Sequence, residues 1–167
     1  SSKFKMHGMN RSEYPALPDM EQAHQIKVKQ QELKEALYST AFSVSREDNR
    51  YALTGVNLNI EGSKAVFIGT DGKRLAKTYI DIENSQGISG SYIVPLKAVE
   101  EILKNLNDED DEITIFLTQD KIGVQSSDTT LISKLLSGDY PDVDRVIPKA
   151  SESVVSLHRD ELITLLK

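Results

Sequence analysis

Histidines, clustered carboxylates and a glycine-containing turn are the residues of this chain most able to support chemistry. The three histidines, His7, His24 and His158, lie in three different segments, and nothing in the sequence brings one of them to a nucleophile. The acidic run NDEDDE, residues 107–112, lacks the spaced ligands and the central glycine of a calcium loop. The sequence therefore predicts no catalytic residue, no metal site and no cofactor.

The segment GTDGKRLA, residues 69–76, has the composition of a β-hairpin. Asp71 and Gly72 stand between two strand-like runs, and this dipeptide is typical of a two-residue turn in which both residues adopt a positive φ. A phosphate-binding loop would need a helix N-terminus to gather backbone amides, and a strand-turn-strand setting provides none. A phosphoryl-transfer enzyme that uses Asp71 and the acidic run remains the least favoured alternative.

The bulk composition indicates an ordinary globular protein. The chain has 167 residues, of which 38% are hydrophobic and 28% are charged, and it carries a net charge of −6. No apolar run approaches the roughly 18 residues that a transmembrane helix needs. The absence of cysteine excludes disulfides and thiolate metal sites and suits a cytosolic protein. An acidic chain argues on average against binding to nucleic acid, although a local basic face can coexist with it.

The chain contains an internal repeat. The segments VKQQELKEAL, VPLKAVEEIL and LHRDELITLL align without gaps, starting at residues 28, 94 and 157. Each predicts a helix with an apolar stripe at i, i+3 and i+4, and Pro95 is expected at the first helical position of the second. The stripes are Leu33, Ala36 and Leu37; Val99, Ile102, Leu103 and Leu106; and Leu162, Leu165 and Leu166.

Strand signals follow the first two helices, with turns expected near residues 71–72, 119–120 and 127–128. Each unit of about 65 residues therefore reads β-α-β-β-β. The predicted class is α+β, with two helices on one side of antiparallel sheets, because strands outnumber helices and most strands are linked by hairpins.

A Tyr-Pro step followed by a second proline occurs in EYPALP, residues 13–18, and again in DYPDVDRVIP, residues 139–148. We interpret each as the end of a domain made of two such units. Residues 1–20 are then the C-terminal tail of a preceding domain with KFKMHG as its last strand, residues 24–148 a complete central domain, and residues 151–167 the start of a third. The chain is expected to be an excerpt of a longer protein.

Four separated motifs carry a resemblance that covers essentially the whole chain. RYALTGV (50–56), GTDGKRLA (69–76), YIVPLKAVEEI (92–102) and ISKLLSGDYPDVDRVIP (132–148) occur in this order. The chain thereby resembles the middle domain of the bacterial sliding clamp, the beta subunit of DNA polymerase III. The resemblance implies a non-enzymatic processivity factor with three domains per subunit. Two subunits of the full-length protein would close around duplex DNA, whereas this excerpt would be monomeric, and the location would be cytoplasmic and nucleoid-associated.

The resemblance also implies a cleft for short linear peptides of a glutamine-then-leucine-phenylalanine kind. Polymerase III subunits, the clamp loader and repair polymerases carry such peptides in this family. Position by position, the cleft residues are Leu53, Thr70, Gly72, Lys73, Arg74, Leu75, Pro141, Arg145 and Val146. The family often has histidine where this chain has Lys73. Leu53 also falls out of step with Val56, Leu58 and Ile60 on a strand expected from Tyr51 to Ile60, so an unbroken strand points it away from the core unless Gly55 forms a bulge.

A DNA-facing surface is implied on the polar faces of the helices. Such faces are usually only solvated, but in a sliding clamp they line the hole, where contacts with phosphates are independent of sequence and sensitive to salt. The candidates are Lys29, Lys34, Arg46, Arg50, Tyr51, Lys97 and Lys104. The alternative to a clamp is a repeat-built protein-interaction module that has no DNA role.

Overall fold

The chain alternates strands and helices in the order that the repeat predicts. The computed structural model describes residues 3–13, 16, 20, 22–47, 49–108, 111–127, 129–148 and 153–167. The strands are β1 (His24–Lys29), β2 (Gly55–Glu61), β3 (Lys64–Thr70), β4 (Leu75–Asp81), β5 (Gly90–Pro95), β6 (Glu112–Leu117), β7 (Lys121–Ser126) and β8 (Thr129–Lys134). The α-helices are α1 (Gln30–Ala41), α2 (Leu96–Asn105) and α3 (Arg159–Leu166), and short 3-10 helices lie at Arg11–Glu13, Tyr51–Thr54 and Val143–Arg145. The β-α-β-β-β order, twice, confirms the α+β class.

The two units exchange their first strands. One antiparallel sheet has the order β1-β6-β7-β8 and the other has the order β4-β3-β2-β5. In the first sheet Ile26 lies opposite Ile115, and in the second Leu58 lies opposite Tyr92. Each sheet therefore contains one strand from the other unit, a feature that the hairpin pattern alone did not predict.

Backbone hydrogen bonds outside the sheet ladders also join the two units at two places. The backbone amide of Lys27 in β1 donates to the Glu83 carbonyl at 3.2 Å, and the amide of Glu83 donates to the Lys27 carbonyl at 3.0 Å. On the other side the amide of Leu136 donates to the Ile93 carbonyl of β5 at 2.9 Å. The two units are thus held together by backbone hydrogen bonds as well as by the core.

Both central helices bury the apolar stripes that the sequence predicts. Leu33 and Leu37 of α1 and Val99 and Ile102 of α2 belong to one core cluster, which also contains residues of both sheets. Helical residues at i, i+3 and i+4 lie on one face, and this face is what each helix packs against the strands. The third stripe differs, because Leu165 of α3 is 83% exposed in this chain.

Two predicted strands are wrong in whole or in part. Residues 3–8, KFKMHG, form no strand, and their side chains are exposed; a strand needs a partner for its hydrogen bonds, and none of the described strands pairs with them. The strand expected from Tyr51 begins only at Gly55, since Tyr51–Thr54 forms a 3-10 helix. Leu53 therefore lies in this 3-10 helix, and strand alternation does not set the direction of its side chain.

Two local details also differ from expectation. The β3–β4 connection is a four-residue loop in which Thr70 pairs with Leu75, and Gly72 has φ +85 while Asp71 has no positive φ. Pro95 is the residue before α2 rather than its first helical residue, with extended backbone at ψ 140. The turns near residues 119–120 and 127–128 lie between paired strands as predicted, although Asp128 is outside the described residues.

The proposed domain boundaries remain a prediction. The described body of strands and core residues begins at Ala23 and continues to Val143. The segment 3–13 and the segment 153–167 are exposed throughout. Tyr14, Pro15 and Pro18 of the first Tyr-Pro motif lie outside the described residues.

A glycine in β3 permits close packing of α1 on the sheet, which gives the first testable prediction. A Cβ at Gly69 would overlap the Thr40 carbonyl oxygen and lie 2.7 Å from Ser43 Oγ. Both neighbours are buried, so we expect Gly69→Ala to lower the free energy of unfolding by about 1–3 kcal/mol through overpacking. Urea unfolding followed by circular dichroism measures the loss. Gly8→Ala is the matched control, because nothing lies within 4 Å of a Cβ there; equal stability of the two variants would contradict the expected clash.

Candidate functional site

A groove of about 530 Å³ opens at one end of the sheet that contains β3 and β4. One side is the β3–β4 loop and the other is the segment that follows β8. Its lining is mostly apolar, with cationic side chains at one rim. The lining residues are Arg50, Leu53, Thr70, Gly72, Lys73, Arg74, Leu75, Pro141, Asp142, Val143, Val146, Ile147 and Pro148.

The β3–β4 loop is held rigid by its own side chains. Asp71 Oδ1 accepts hydrogen bonds from the amides of Lys73 (2.9 Å) and Arg74 (3.0 Å). Thr70 Oγ1 donates to the Arg74 carbonyl at 2.6 Å and accepts from the Gly72 amide at 3.0 Å. A loop with so many internal bonds loses little conformational entropy when a ligand binds, so this side of the groove is preorganised.

Asp71 serves this loop rather than a reaction. Its second oxygen, Oδ2, accepts from Arg74 Nε at 3.0 Å. The backbone amides of Lys73 and Arg74 hold the pKa of the Asp71 carboxyl below its usual value, with the charge of Arg74 adding to the effect. A carboxylate with both oxygens engaged is poorly placed to act as a base, which weakens the phosphoryl-transfer alternative.

The floor of the groove is apolar. Leu53 is 3% exposed and lies outside the main core cluster, and Val143 is also buried. Leu75 is half-buried, whereas Val146 is 69% exposed. Apolar surface that remains partly open beside polar rims is typical of a site for apolar side chains of a ligand.

We call residues 140–148 the outer wall. The Tyr140 hydroxyl donates to the Ile68 carbonyl of β3 at 3.3 Å. The Asp142 carboxylate accepts from the Asp144 amide at 3.3 Å and begins the 3-10 helix Val143–Arg145. Burial raises the pKa of Tyr140 to about 12, against a smaller opposing effect of the Thr70 backbone amide. The tyrosine is therefore a neutral donor over the whole physiological range.

The structure brings eight of the nine predicted cleft residues into this groove. The exception is Arg145, whose side chain is 85% exposed and whose Nε lies 2.8 Å from Asp142 Oδ2. Sequence reasoning missed four lining residues, Asp142, Val143, Ile147 and Pro148, and it assigned Arg50 to DNA. The four lie within the DYPDVDRVIP motif itself, so the motif was the available signal.

Arg50 lies in the groove because of a close approach to the loop. A Cβ at Gly72 would stand 3.1 Å from Arg50 Nη2. The absence of a side chain at position 72 and its positive φ let the guanidinium lie over the loop. Arg50 thereby adds to the cationic rim that Lys73 and Arg74 form.

The predicted DNA-facing cations lie at the end of β1, on two helices and in the loop that follows α1, and most have acidic neighbours. Lys34 Nζ lies 2.6 Å from Asp108, while Lys97 and Lys104 share Glu101 at 3.0 and 2.9 Å. The pKa of Glu101 is lowered by these hydrogen-bonded lysines, Lys104 first. Lys29 is exposed at the end of β1, and Arg46 and Tyr51 line a shallow depression beside the 3-10 helix Tyr51–Thr54.

A second depression, of about 490 Å³, lies between the C-terminal end of α1 and α2. Tyr38 and Phe42 expose their rings there, and the Arg74 guanidinium lies 5.8 Å from the centre of the Phe42 ring. The charges of its lining balance, since Arg46 lies 3.9 Å from Glu100 and Arg74 pairs with Asp71.

Within the described ranges, no three His, Asp or Glu residues group as metal ligands would. Glu109 and Asp110 of the acidic run are outside those ranges. The helices of the described part of the chain are all too short or too polar to cross a membrane.

Two β-α-β-β-β units that exchange strands, two helices in a common core and a lateral groove with a cationic rim define a processivity-fold, clamp-type domain. Comparison with known families agrees with this class. The central domain of the DNA polymerase III beta subunit matches residues 27–142, more than half of the chain. The chain therefore belongs to the family of DNA polymerase III beta subunits.

Individual relatives are similar over nearly the whole chain. A beta sliding clamp from Chlamydia pneumoniae is 50% identical over 167 residues, which are 100% of this chain and 45% of that protein. The beta sliding clamp of Bacillus subtilis is 30% identical over 162 residues, 97% of this chain and 43% of that protein. The chain thus spans less than half the length of these curated relatives.

Solved structures agree with the fold. The crystal structure of the DNA polymerase sliding clamp from Bacillus subtilis superposes with a TM-score of 0.81 at 32% identity, covering 86% of this chain and 38% of that chain. The DNA polymerase III subunit beta from Pseudomonas aeruginosa superposes with a TM-score of 0.80 at 28% identity, covering 86% and 39%. The recognition of the family from four motifs is confirmed.

The half-buried hydroxyl of Tyr140 gives a pH-dependent prediction. Its pKa of about 12 in the folded chain exceeds the ordinary value of 10.0. The neutral hydroxyl therefore stabilises the fold fully below about pH 10, and this contribution is lost as the pH rises through about 12. We expect Tyr140→Phe to be less stable by about 1 kcal/mol at neutral pH, and this difference to vanish or reverse in alkali, because only the tyrosine ionises. Urea unfolding of both proteins at about pH 8 and about pH 11.5 measures it; a difference that stays constant would contradict the assignment.

Proposed function

We propose that this chain is the central part of a sliding clamp that holds a DNA polymerase on its template. Family membership supports this proposal, as do the relatives that carry the name beta sliding clamp. Processivity then comes from a closed ring around duplex DNA. The chain covers 45% of such a relative, so the ring belongs to the full-length protein. In this proposal the ring consists of two subunits of three domains each, and this chain alone is monomeric.

The charge distribution supports weak contact with DNA. The lysines on the helix faces have carboxylates within about 3 Å, so a phosphate that approaches them competes with an existing partner. Such contacts are fluctuating, independent of sequence and easily screened by salt. A ring that slides needs contacts of this kind, because tight pairs would slow its movement.

The groove carries the second half of the proposal. We propose that it docks short linear peptides of a glutamine-then-leucine-phenylalanine kind, presented by polymerase III subunits, the clamp loader and repair polymerases. The supporting observation is that eight of the positions implied by the family resemblance line one apolar groove with a preorganised loop. Its open apolar surface suits leucine and phenylalanine side chains, and its cationic rim can donate hydrogen bonds to backbone carbonyls or to acidic neighbours of the motif.

No catalytic role is proposed for this chain. Asp71 is committed to loop hydrogen bonds, and the histidines lie on separate elements: His24 begins β1 and His158 precedes α3. The competing interaction module without a DNA role shares the groove but not the ring. We place the full-length clamp in the cytoplasm, associated with the nucleoid, as its proposed partners require.

A charge in the groove tests the peptide site. We expect Leu75→Asp in the full-length protein to weaken binding of a fluorescein-labelled glutamine-leucine-phenylalanine peptide at least tenfold, because a half-buried apolar contact becomes a desolvated carboxylate. Fluorescence anisotropy measures the dissociation constant, and circular dichroism verifies folding. Gln119→Asp, which adds the same charge on the exposed β6–β7 turn, is the matched control and should bind normally. If the folded wild-type protein binds none of several such peptides, this result contradicts the assignment of the groove as a peptide site.

Retention on DNA separates the clamp from the interaction module. Full-length protein loaded by its clamp loader should remain on nicked circular DNA during gel filtration and be lost once a restriction enzyme linearises the circle. Retention on the circle should survive high salt, because topology rather than ion pairing keeps the ring in place. Equal loss from circular and linear DNA would favour the module without a DNA role.

A further inference from the structure

The outer wall of the groove, residues 140–148, is a connecting segment rather than part of a sheet. Its regular structure among the described residues is the single 3-10 turn Val143–Arg145. Its contacts to β3 and β4 therefore decide where Pro141 and Val146 stand relative to the preorganised loop across the groove. A segment held by few contacts moves more readily than a paired strand.

The wall buries the side chain of Val143, and its polar side-chain contacts with β3 and β4 converge on one cross-strand pair. Ile68 of β3 lies opposite Lys77 of β4. The Tyr140 hydroxyl donates to the Ile68 carbonyl, and Lys77 Nζ lies 2.5 Å from Asp144 Oδ1. The start and the middle of the outer wall are thus fastened to the same place on the sheet.

This anchoring pair stands directly beside the groove. Residues two apart on a strand point to the same face, so Ile68 and Lys77 share a face with the next pair, Thr70 and Leu75. Thr70 and Leu75 line the groove, whereas Lys77 and Asp144 do not. Lys77 therefore lies two residues along β4 from the groove-lining Leu75, just outside the site.

The ion pair between Lys77 and Asp144 differs from the other ion pairs of this region in the segments that it connects. Arg74 pairs with Asp71 inside its own loop, and Arg145 pairs with Asp142 inside the outer wall. Lys77 and Asp144 are 67 positions apart in sequence and connect the sheet to the wall. The side chain of Lys77 is 35% exposed and that of Asp144 is 70% exposed, so the pair lies at the surface, where salt screens it.

From this geometry we propose that Lys77 and Asp144 are positioning residues for the peptide groove. Their ion pair holds the outer wall at the distance from Leu75 at which an apolar peptide side chain fits between the two. The inference rests on the proposed peptide-docking function and adds to it the residues that set the width of the site. Neither residue touches the peptide; both act through Val146 and its neighbours.

The expected effect is local. An ion pair at the surface adds little to global stability, so breaking it leaves the unfolding midpoint nearly unchanged. Its loss frees the wall, and the peptide must then order that segment on binding. We expect the affinity to fall by roughly threefold to tenfold.

A charge swap in the full-length protein tests the proposal. Lys77→Glu and Asp144→Lys are made singly and together, with Leu75→Asp as the reference for a lost site. Each single variant should bind the labelled glutamine-leucine-phenylalanine peptide roughly threefold to tenfold more weakly, and amide exchange in residues 143–147 should become faster. The double variant should recover most of the affinity and most of the protection from amide exchange. High salt should weaken wild-type binding towards the level of the single variants. A merely structural role predicts that the unfolding midpoint and the affinity fall together in the single variants, whereas a positioning role lowers the affinity while the midpoint stays nearly unchanged.

The matched control is Lys27→Glu, which breaks the 2.7 Å ion pair with Glu112 between β1 and β6, away from the groove. It should leave peptide affinity unchanged. If the wild type binds, Leu75→Asp does not, and the single variants at positions 77 and 144 bind like the wild type, the positioning role is overturned while the proposed function stands. Absence of binding by the wild type would overturn the docking function and this inference together.

Discussion

The exchange of first strands between the two units is the constraint on which the rest of the structure depends. β1 completes the sheet of the second unit by pairing with β6, and β5 completes the sheet of the first by pairing with β2. Each helix therefore follows a strand of one sheet and leads into a strand of the other, and both helices bury their apolar faces in one core cluster with residues of both sheets. One common core follows, because neither unit alone can satisfy the hydrogen bonds of its strands or cover its apolar face.

The groove is a product of the same arrangement. Leu53 and the β3–β4 loop belong to the first unit, while the outer wall follows the last strand of the second. The bridge between Ile93 and Leu136 fixes where the chain leaves β8, and the wall then crosses the outer face of β3 and β4. A peptide in this groove would contact both units, so its affinity would depend on their relative placement as well as on the lining residues.

Charge is distributed differently over the two proposed surfaces. On the helices, cations and carboxylates pair within the chain, which suits a net charge of −6 and transient contact with phosphates. In the groove, Arg50, Lys73 and Arg74 stand along one rim beside apolar floor residues. Paired charges on the helices suit the proposed sliding on DNA, and the cationic rim of the groove suits the proposed recognition of peptides. An acidic domain could therefore serve both proposed functions without a strongly basic face.

The sequence by itself determined the repeated units, the α+β class and the family. Helical stripes such as Val99 and Ile102 and alternating strand residues such as Val56, Leu58 and Ile60 specify buried faces through local periodicity. It also indicated most of the groove, but only through the family resemblance. Strand alternation did not predict the orientation of Leu53, because Tyr51–Thr54 forms a 3-10 helix. Tertiary structure alone decided the strand exchange and the position of Arg50 over Gly72. It also decided that Arg145 lies outside the groove and that Lys77 pairs with Asp144. Apart from the local pair of Arg145 with Asp142, three residues away, these features depend on contacts between residues far apart in the chain. Periodicity reports only the local environment of each segment and carries no information about which distant segments meet.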